Sequence, residues 1–255
     1  MDNVFFFQDK LKGVQNNTIQ KVFLFSDGLV RTKKIVRELS KNTSLAHLEL
    51  THVFDMDDGL EIAKSLARHL KNNCTLTFLA LISTQIHIQG MEFLSKTLNC
   101  TMIKKLNLHS NCIMDQGAQH LAKALRSNTY LKYLNLRNNG IGDLGAKAIF
   151  KALEKNNCLE NLDLADNCIN NNKGFLAIAH FLQKNTSLLV LEIMFQDGFF
   201  VSLCQDGISK IANTLEKKNF FLFNFSADFE KRIFQYTGRN KKFYHCSIRF
   251  RLFFL

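Results

Sequence analysis

The chain has 255 residues, 46% of them hydrophobic, and 33 Lys and Arg against 22 Asp and Glu give a formal charge of +11. That length and apolar content suit a globular protein with a large core. No apolar run approaches the roughly 18 residues that cross a bilayer, which excludes a membrane helix. Seven cysteines in an odd count, without a C-x-x-C pair or metal-ligand spacing, predict reduced, buried structural thiols in a reducing compartment and neither metal nor cofactor.

At the N-terminus the apolar run Val4–Phe7 is too short for an export leader, and no basic region precedes it. A cytoplasmic location is therefore expected, with residues 1–15 forming an N-terminal cap helix. From there to residue 225 the sequence repeats. Gly28, Gly59, Gly90, Gly117, Gly145, Gly174 and Gly207 recur every 27 to 33 residues, the period of a solenoid whose units share one core. No Pro/Gly/Ser-rich linker interrupts them.

Upstream of these glycines runs the pattern apolar-x-x-apolar-x-apolar. It begins as Ile19/Val22/Leu24 and Leu45/Leu48/Leu50, is cleanest as Leu131/Leu134/Leu136 and Leu159/Leu162/Leu164, and ends degenerately as Phe220/Phe223/Phe225. The alternation of its last two members predicts a short half-buried strand. After the glycine the period lengthens: Gly117 is followed by Leu121, Ala124 and Leu125, one face of a helix. Each unit is strand, turn, helix and return loop, with the glycine opening or closely preceding the helix.

Asn111, Asn139 and Asn167 stand three residues past the last triplet leucine, where a buried amide can satisfy backbone groups as the chain leaves the strand. Stacked between units, they form an asparagine ladder. Asp27, Gln196 and Asp228 can substitute there; Val53 and Thr84 cannot, so looser turns are expected in the second and third repeats.

These residues resemble the leucine-rich repeat family, L-x-x-L-x-L-x-x-N-x-I, most closely at Leu106–Ile113, Leu134–Ile141 and Leu162–Ile169. The period and the Gly-Ala-x-x-Leu-Ala-x-Ala-Leu helix at 117–125 are similar to the ribonuclease-inhibitor-like subclass. The resemblance implies an α/β fold: a right-handed β/α horseshoe of about seven to eight units over 16–225, parallel strands concave and α-helices convex. It also implies a non-enzymatic protein-binding module that works through the concave face, a monomer with another protein as partner and no small-molecule substrate.

On such strands the residues beside the triplet leucines face the concave solvent side. The expected partner-binding residues are Phe78, Ile82, Lys105, His109, Tyr133, Arg137, Asp163 and Glu192. Large apolar groups and a mixed aromatic–cationic set are what interfaces use as anchors. Phe23 and Phe25 share this face, but are open to burial beneath the N-terminal cap. His47, His52 and Glu49 lie close in sequence without a nucleophile motif beside them, so no enzyme is expected.

Residues 226–255 leave the period and combine basic charge with aromatics from Phe229 to Phe254. They read as a C-terminal cap, with Ile233–Tyr236 and Phe243 onward pairing as a hairpin across the Thr237–Asn240 turn. A basic-aromatic surface for membrane or nucleic acid, or an export signal, are the competing readings of this tail. Two alternatives come from the resemblance alone. One is a regulator of a small GTPase, like the Ran GTPase activators, although their tails are acidic and this one is basic. The other is a bacterial effector acting on a host protein, which the Lys/Asn/Phe/Ile-rich, proline-free composition also suits.

Overall fold

A computed structural model describes residues 2–26, 28–52, 56–195 and 246–251, with positions 206–207, 209–211 and 214; for 2–6, 56–57, 194–195 and 246–251 it describes the backbone alone. Helix α1 (Asp2–Gln15) leads into β1 (Lys21–Phe25) and α2 (Gly28–Glu38), then β2 (His47–Thr51) and α3 (Met56–His69). The alternation continues through β3 (Phe78–Ile82), α4 (His87–Leu98), β4 (Lys105–Asn107) and α5 (Met114–Leu125). It closes with β5 (Tyr133–Asn135), α6 (Asp143–Leu153), β6 (Asn161–Asp163), α7 (Asn172–Lys184), β7 (Val190–Phe195) and β8 (Cys246–Arg251).

One sheet takes the strands in chain order, β1 to β7 all parallel. This is an α/β solenoid, and parallel β–α–β connections of this kind are right-handed. The register places equivalent triplet residues side by side: Leu106 beside Leu134, Leu134 beside Leu162, Leu162 beside Leu191. Those leucines are buried in a single cluster with the inward faces of the helices, among them Leu121 and Leu125 of α5 and Ile149 and Leu153 of α6. Each fully buried leucine is worth about 1.5–3 kcal/mol relative to exposure, so the sheet and helix layers are held by the same residues that carry the sequence pattern.

The repeat glycines lie inside the first helical turn rather than ahead of it, Gly28 alone opening its helix. A Cβ on Gly117 would meet Ile113 Cγ2 at 2.6 Å, and one on Gly90 would meet Ile86 Cγ2 at 2.7 Å. The glycine therefore lets the helix settle onto the isoleucine that ends the preceding turn. The next helix is also capped from the repeat before. Asp115 Oδ1 accepts from Gly142 N at 2.7 Å and Gly145 N at 2.8 Å, and Asp143 Oδ1 accepts from Asn171 N and Gly174 N. Burial holds the Asp143 carboxyl above its ordinary range, the backbone N–H groups opposing it.

Polar ladders stitch the repeats at both strand ends. Past the strands, Asn139 Oδ1 accepts from the backbone N–H of Asn111 at 3.0 Å, and Asn167 Oδ1 from that of Asn139 at 3.0 Å. The contact runs from side chain to backbone, not amide on amide. Just before that slot a left-handed residue follows each of β1–β6: Ser26, His52, Ser83, Ser110, Asn138 and Asp166 have φ between 51° and 58°. Thr84 is not loosely held. It is fully buried, and its N–H and hydroxyl both donate to Asn111 Oδ1, at 3.1 and 3.0 Å. A β-branched hydroxyl can thus serve where an amide was expected; Val53, Asp27, Gln196 and Asp228 lie outside the described residues.

A second asparagine ladder lines the return loops and escaped the sequence reading. Asn42, Asn73, Asn128, Asn156 and Asn185 are buried, each standing three residues before the first leucine of a triplet. Asn156 donates to Leu125 O and Asn128 O and accepts from Cys158 N and Leu159 N. One loop, 99–102, is a residue shorter, and there Thr101 donates to Leu98 O instead.

One expectation needs correction. Of the five cysteines whose side chains are described, Cys74, Cys100, Cys112 and Cys168 are free but exposed and Cys158 is buried, because these slots fall in turns rather than beneath them. The degenerate last unit expected at 220–225 lies outside the described residues. The outer edge of β7 is taken by β8, antiparallel, with Leu191 opposite Phe250 and Ile193 opposite Ile248. Of the segment expected to pair as a hairpin, Cys246–Arg251 contributes a strand to the main sheet; 233–236 lies outside the described residues.

Candidate functional site

The concave surface is the solvent side of β1–β7, and its character changes along the array. At the N-terminal end it is aromatic. Phe23 is 49% and Phe25 68% exposed, so neither lies beneath α1, whose contribution at this edge is Lys10 Nζ donating to Phe23 O at 2.7 Å. His47 stacks face to face on Phe78, ring centroids 3.9 Å apart and 9° from parallel, and Phe23 lies 4.9 Å from His47 on the other side. Phe25 meets His52 at 4.9 Å. Three adjacent strands thus present Phe23, His47 and Phe78 as one stripe: the parallel register sets His47 beside Phe78, and Phe23, whose register partner is Glu49, reaches His47 diagonally. Phe78 and Ile82 are half-buried within it, and His47 Nε2 lies 3.6 Å from Glu49, beyond hydrogen-bond reach. Ala80 of the same face is fully buried, too small to rise above its neighbours.

The middle of the face is polar and internally bonded. Asn107, Asn135 and Asp163 occupy the central column, and each turns its side-chain oxygen back to the N–H two residues on, in His109, Arg137 and Ala165. Burial is the chief cause that raises the Asp163 carboxyl above its ordinary range; the Ala165 N–H and the charges of Arg137 and His109 oppose it. Arg137 Nε donates to Asp166 Oδ2 at 2.6 Å. His109 Nδ1 faces Arg137 O at 3.1 Å, and a carbonyl only accepts, so Nδ1 carries a proton; its Nε2 lies 3.2 Å from Ser110 Oγ. Asn138 Nδ2 in turn donates to Ser110 Oγ at 2.9 Å.

Of the residues expected at an interface, His109, Arg137 and Asp163 line one shallow depression together with Asn107, Asn135 and Asp166. Lys105 is exposed and Tyr133 half-buried on the neighbouring column, paired in register across β4 and β5. Glu192 lies opposite Asp163 in the register, with Phe78 and Ile82 in the aromatic part. Sequence reasoning missed the row Ser110, Asn138, Asp166; its signal is a polar residue just before each ladder asparagine. Among the described residues no three of His, Cys, Asp or Glu gather as a metal requires, and no helix is long and apolar enough to cross a membrane.

Comparison with known proteins follows the same repeats. Residues 99–122 and 127–150 match a leucine-rich repeat family. The solenoid is of leucine-rich repeat type. No curated protein is significantly similar to the chain. Among solved structures it is similar to the actin-binding site 2 of leiomodin-1, at 20% identity and a TM-score of 0.37, over 90% of this chain and 98% of that one. It is also similar to TLR13 in its complex with ssRNA13, at 17% identity and a TM-score of 0.35, over 66% of this chain and 29% of that one.

Proposed function

We propose that this leucine-rich repeat solenoid is a non-enzymatic module that binds another protein across its concave face. The observation that carries the reading is the exposed aromatic stripe of Phe23, Phe25 and the His47–Phe78 stack, running into the polar set of Lys105, His109, Tyr133 and Arg137. Exposed aromatic groups beside a pre-bonded polar patch supply what interfaces reward: apolar anchors whose burial is favourable, and a rim whose side chains are already ordered. Helices of 11 to 14 residues on the convex side favour the ribonuclease-inhibitor-like subclass. Helix α1 acts as the N-terminal cap of the array, and the protein works as a monomer.

Affinity capture from a matched lysate, with mass spectrometry, compares the wild type with Phe23→Ala/Phe25→Ala and Tyr133→Ala/Arg137→Ala. Both double variants are expected to lose the same captured protein while melting as the wild type does. A capture that neither variant weakens removes the concave face from the interface.

A further inference from the structure

We propose that one lateral face of the solenoid, formed where the helices end and the strands begin, docks onto an anionic lipid bilayer. Every helix from α2 to α7 carries a cation in its last turn: Arg37, Arg68, Lys96, Lys123, Lys151 and Lys184. From these residues to the next strand, the segments 37–46, 68–77, 96–104, 123–132, 151–160 and 184–189 hold 12 Lys and Arg against three acidic residues. The topology lays all six segments along the same side of the sheet. The opposite rim, between strand ends and repeat glycines, has the reverse bias, with Asp58, Asp115, Asp143 and Asp166 against Arg137 and Lys173.

Helix dipoles favour cations in last turns, by about 0.3–1 kcal/mol each. That accounts for Arg37 or Lys123 but not for Lys41, Lys104 or Lys155, which lie in the loops beyond. Lys96, Lys132 and Lys184 pair with Glu92, Glu160 and Glu154; the other cations of these segments have no carboxylate in ion-pair contact among the described residues. Between them stand exposed apolar side chains in the return loops, Met102 and Tyr130 at 40% and Leu189 at 38%.

The form of this field selects its partner. Strands spaced about 4.8 Å and helices about 9 Å apart spread it over roughly 25 Å on the inner arc and roughly 45 Å on the outer. That is an area of charge with apolar points in it, as an anionic headgroup layer accepts, rather than a groove tracking one phosphate backbone. Tyr130 is the single aromatic among these segments, so a platform for stacked bases is lacking.

The test is sedimentation of the full chain with phosphatidylcholine vesicles, and with vesicles carrying one phosphatidylserine for every two phosphatidylcholines. The wild type is expected to bind only the second kind, less as salt rises. A cation near such a surface contributes about fivefold in affinity, so Lys41→Glu/Lys71→Glu/Lys104→Glu/Lys155→Glu should bind more than about a hundredfold more weakly. These four exposed side chains hold no core contact, and an unchanged melting curve verifies the fold. The tail variant Lys231→Ala/Arg232→Ala/Lys241→Ala/Lys242→Ala should retain most binding. Indifference to phosphatidylserine, full binding by the lateral-face variant, or loss of binding in the tail variant alone would each overturn the proposal. So would lateral-face-dependent binding to a single-stranded RNA oligonucleotide that is tighter than to the vesicles.

Discussion

Asn156 makes four hydrogen bonds from a buried loop, two as donor to carbonyls of the preceding repeat and two as acceptor within its own. Truncation to alanine strands the N–H groups of Cys158 and Leu159 away from water, at about 1–3 kcal/mol for each group left unsatisfied. Asn156→Ala is therefore expected to lose about 2–4 kcal/mol in a urea titration, as much as a core leucine. Asn156→Asp keeps the acceptor but not the donors and should fall between. A loss under about 0.5 kcal/mol for the alanine variant would mean that the loop finds other partners. This row was readable in the sequence, since an asparagine precedes the first leucine of most triplets by three residues. It was passed over because asparagine is common in exposed loops, and only burial separates the two cases. The same limit applied to Thr84: a hydroxyl's use as a ladder member depends on which atoms lie opposite it, which spacing does not tell.

At the scale of the element, the leucine triplets and helical spacing were sufficient to place strands and helices, because each period is itself the record of a buried face. What the glycines do was less legible, since a sequence position does not reveal which neighbour crowds it. Gly59 shows the difference. A Cβ there would run into the backbone carbonyls of Thr84 and Gln85, in the turn of the following repeat, whereas at Gly90 it would meet a side chain, Ile86, and Ala63 Cβ at 3.2 Å. Alanine gains about 1 kcal/mol of helix propensity over glycine, but backbone cannot move aside as a side chain does, and overpacking costs about 1–3 kcal/mol. Gly59→Ala should therefore lower the melting temperature clearly, and Gly90→Ala less. The reverse order, measured by circular dichroism, would contradict the close approach of α3 to that turn. The exposure of Phe23 and Phe25 was undecidable for a related reason. Whether α1 covers them depends on its docking angle, a long-range property.

Over the whole molecule, the two outer strands of the parallel run, β1 and β7, meet different neighbours. At the first, β1 is flanked by α1, and a lysine from that helix engages the carbonyl of Phe23; a cation on an edge strand discourages further pairing. At the last, β7 receives β8 along all six of its residues, in the direction opposite to every other strand. An antiparallel strand does not continue the parallel repeat, and it satisfies the outer edge of β7. No local pattern announces such a pairing between segments some fifty residues apart, which is why it was not legible in the sequence. The closure has a direct consequence. Deleting residues 245–255 leaves the outer edge of Val190–Phe195 unpaired beside a buried apolar row that includes Leu191 and Ile193. The shortened chain should melt at lower temperature and associate with itself as concentration rises, edge pairing with edge. Sedimentation velocity reads this directly: the full chain stays a single species over a range in which the deletion variant grows heavier. A deletion variant that remains monomeric and melts unchanged would show that β8 rests on an edge already protected, and the closing role would pass to residues 206–214, where Gly207 N donates to Asn172 Oδ1 at 3.3 Å.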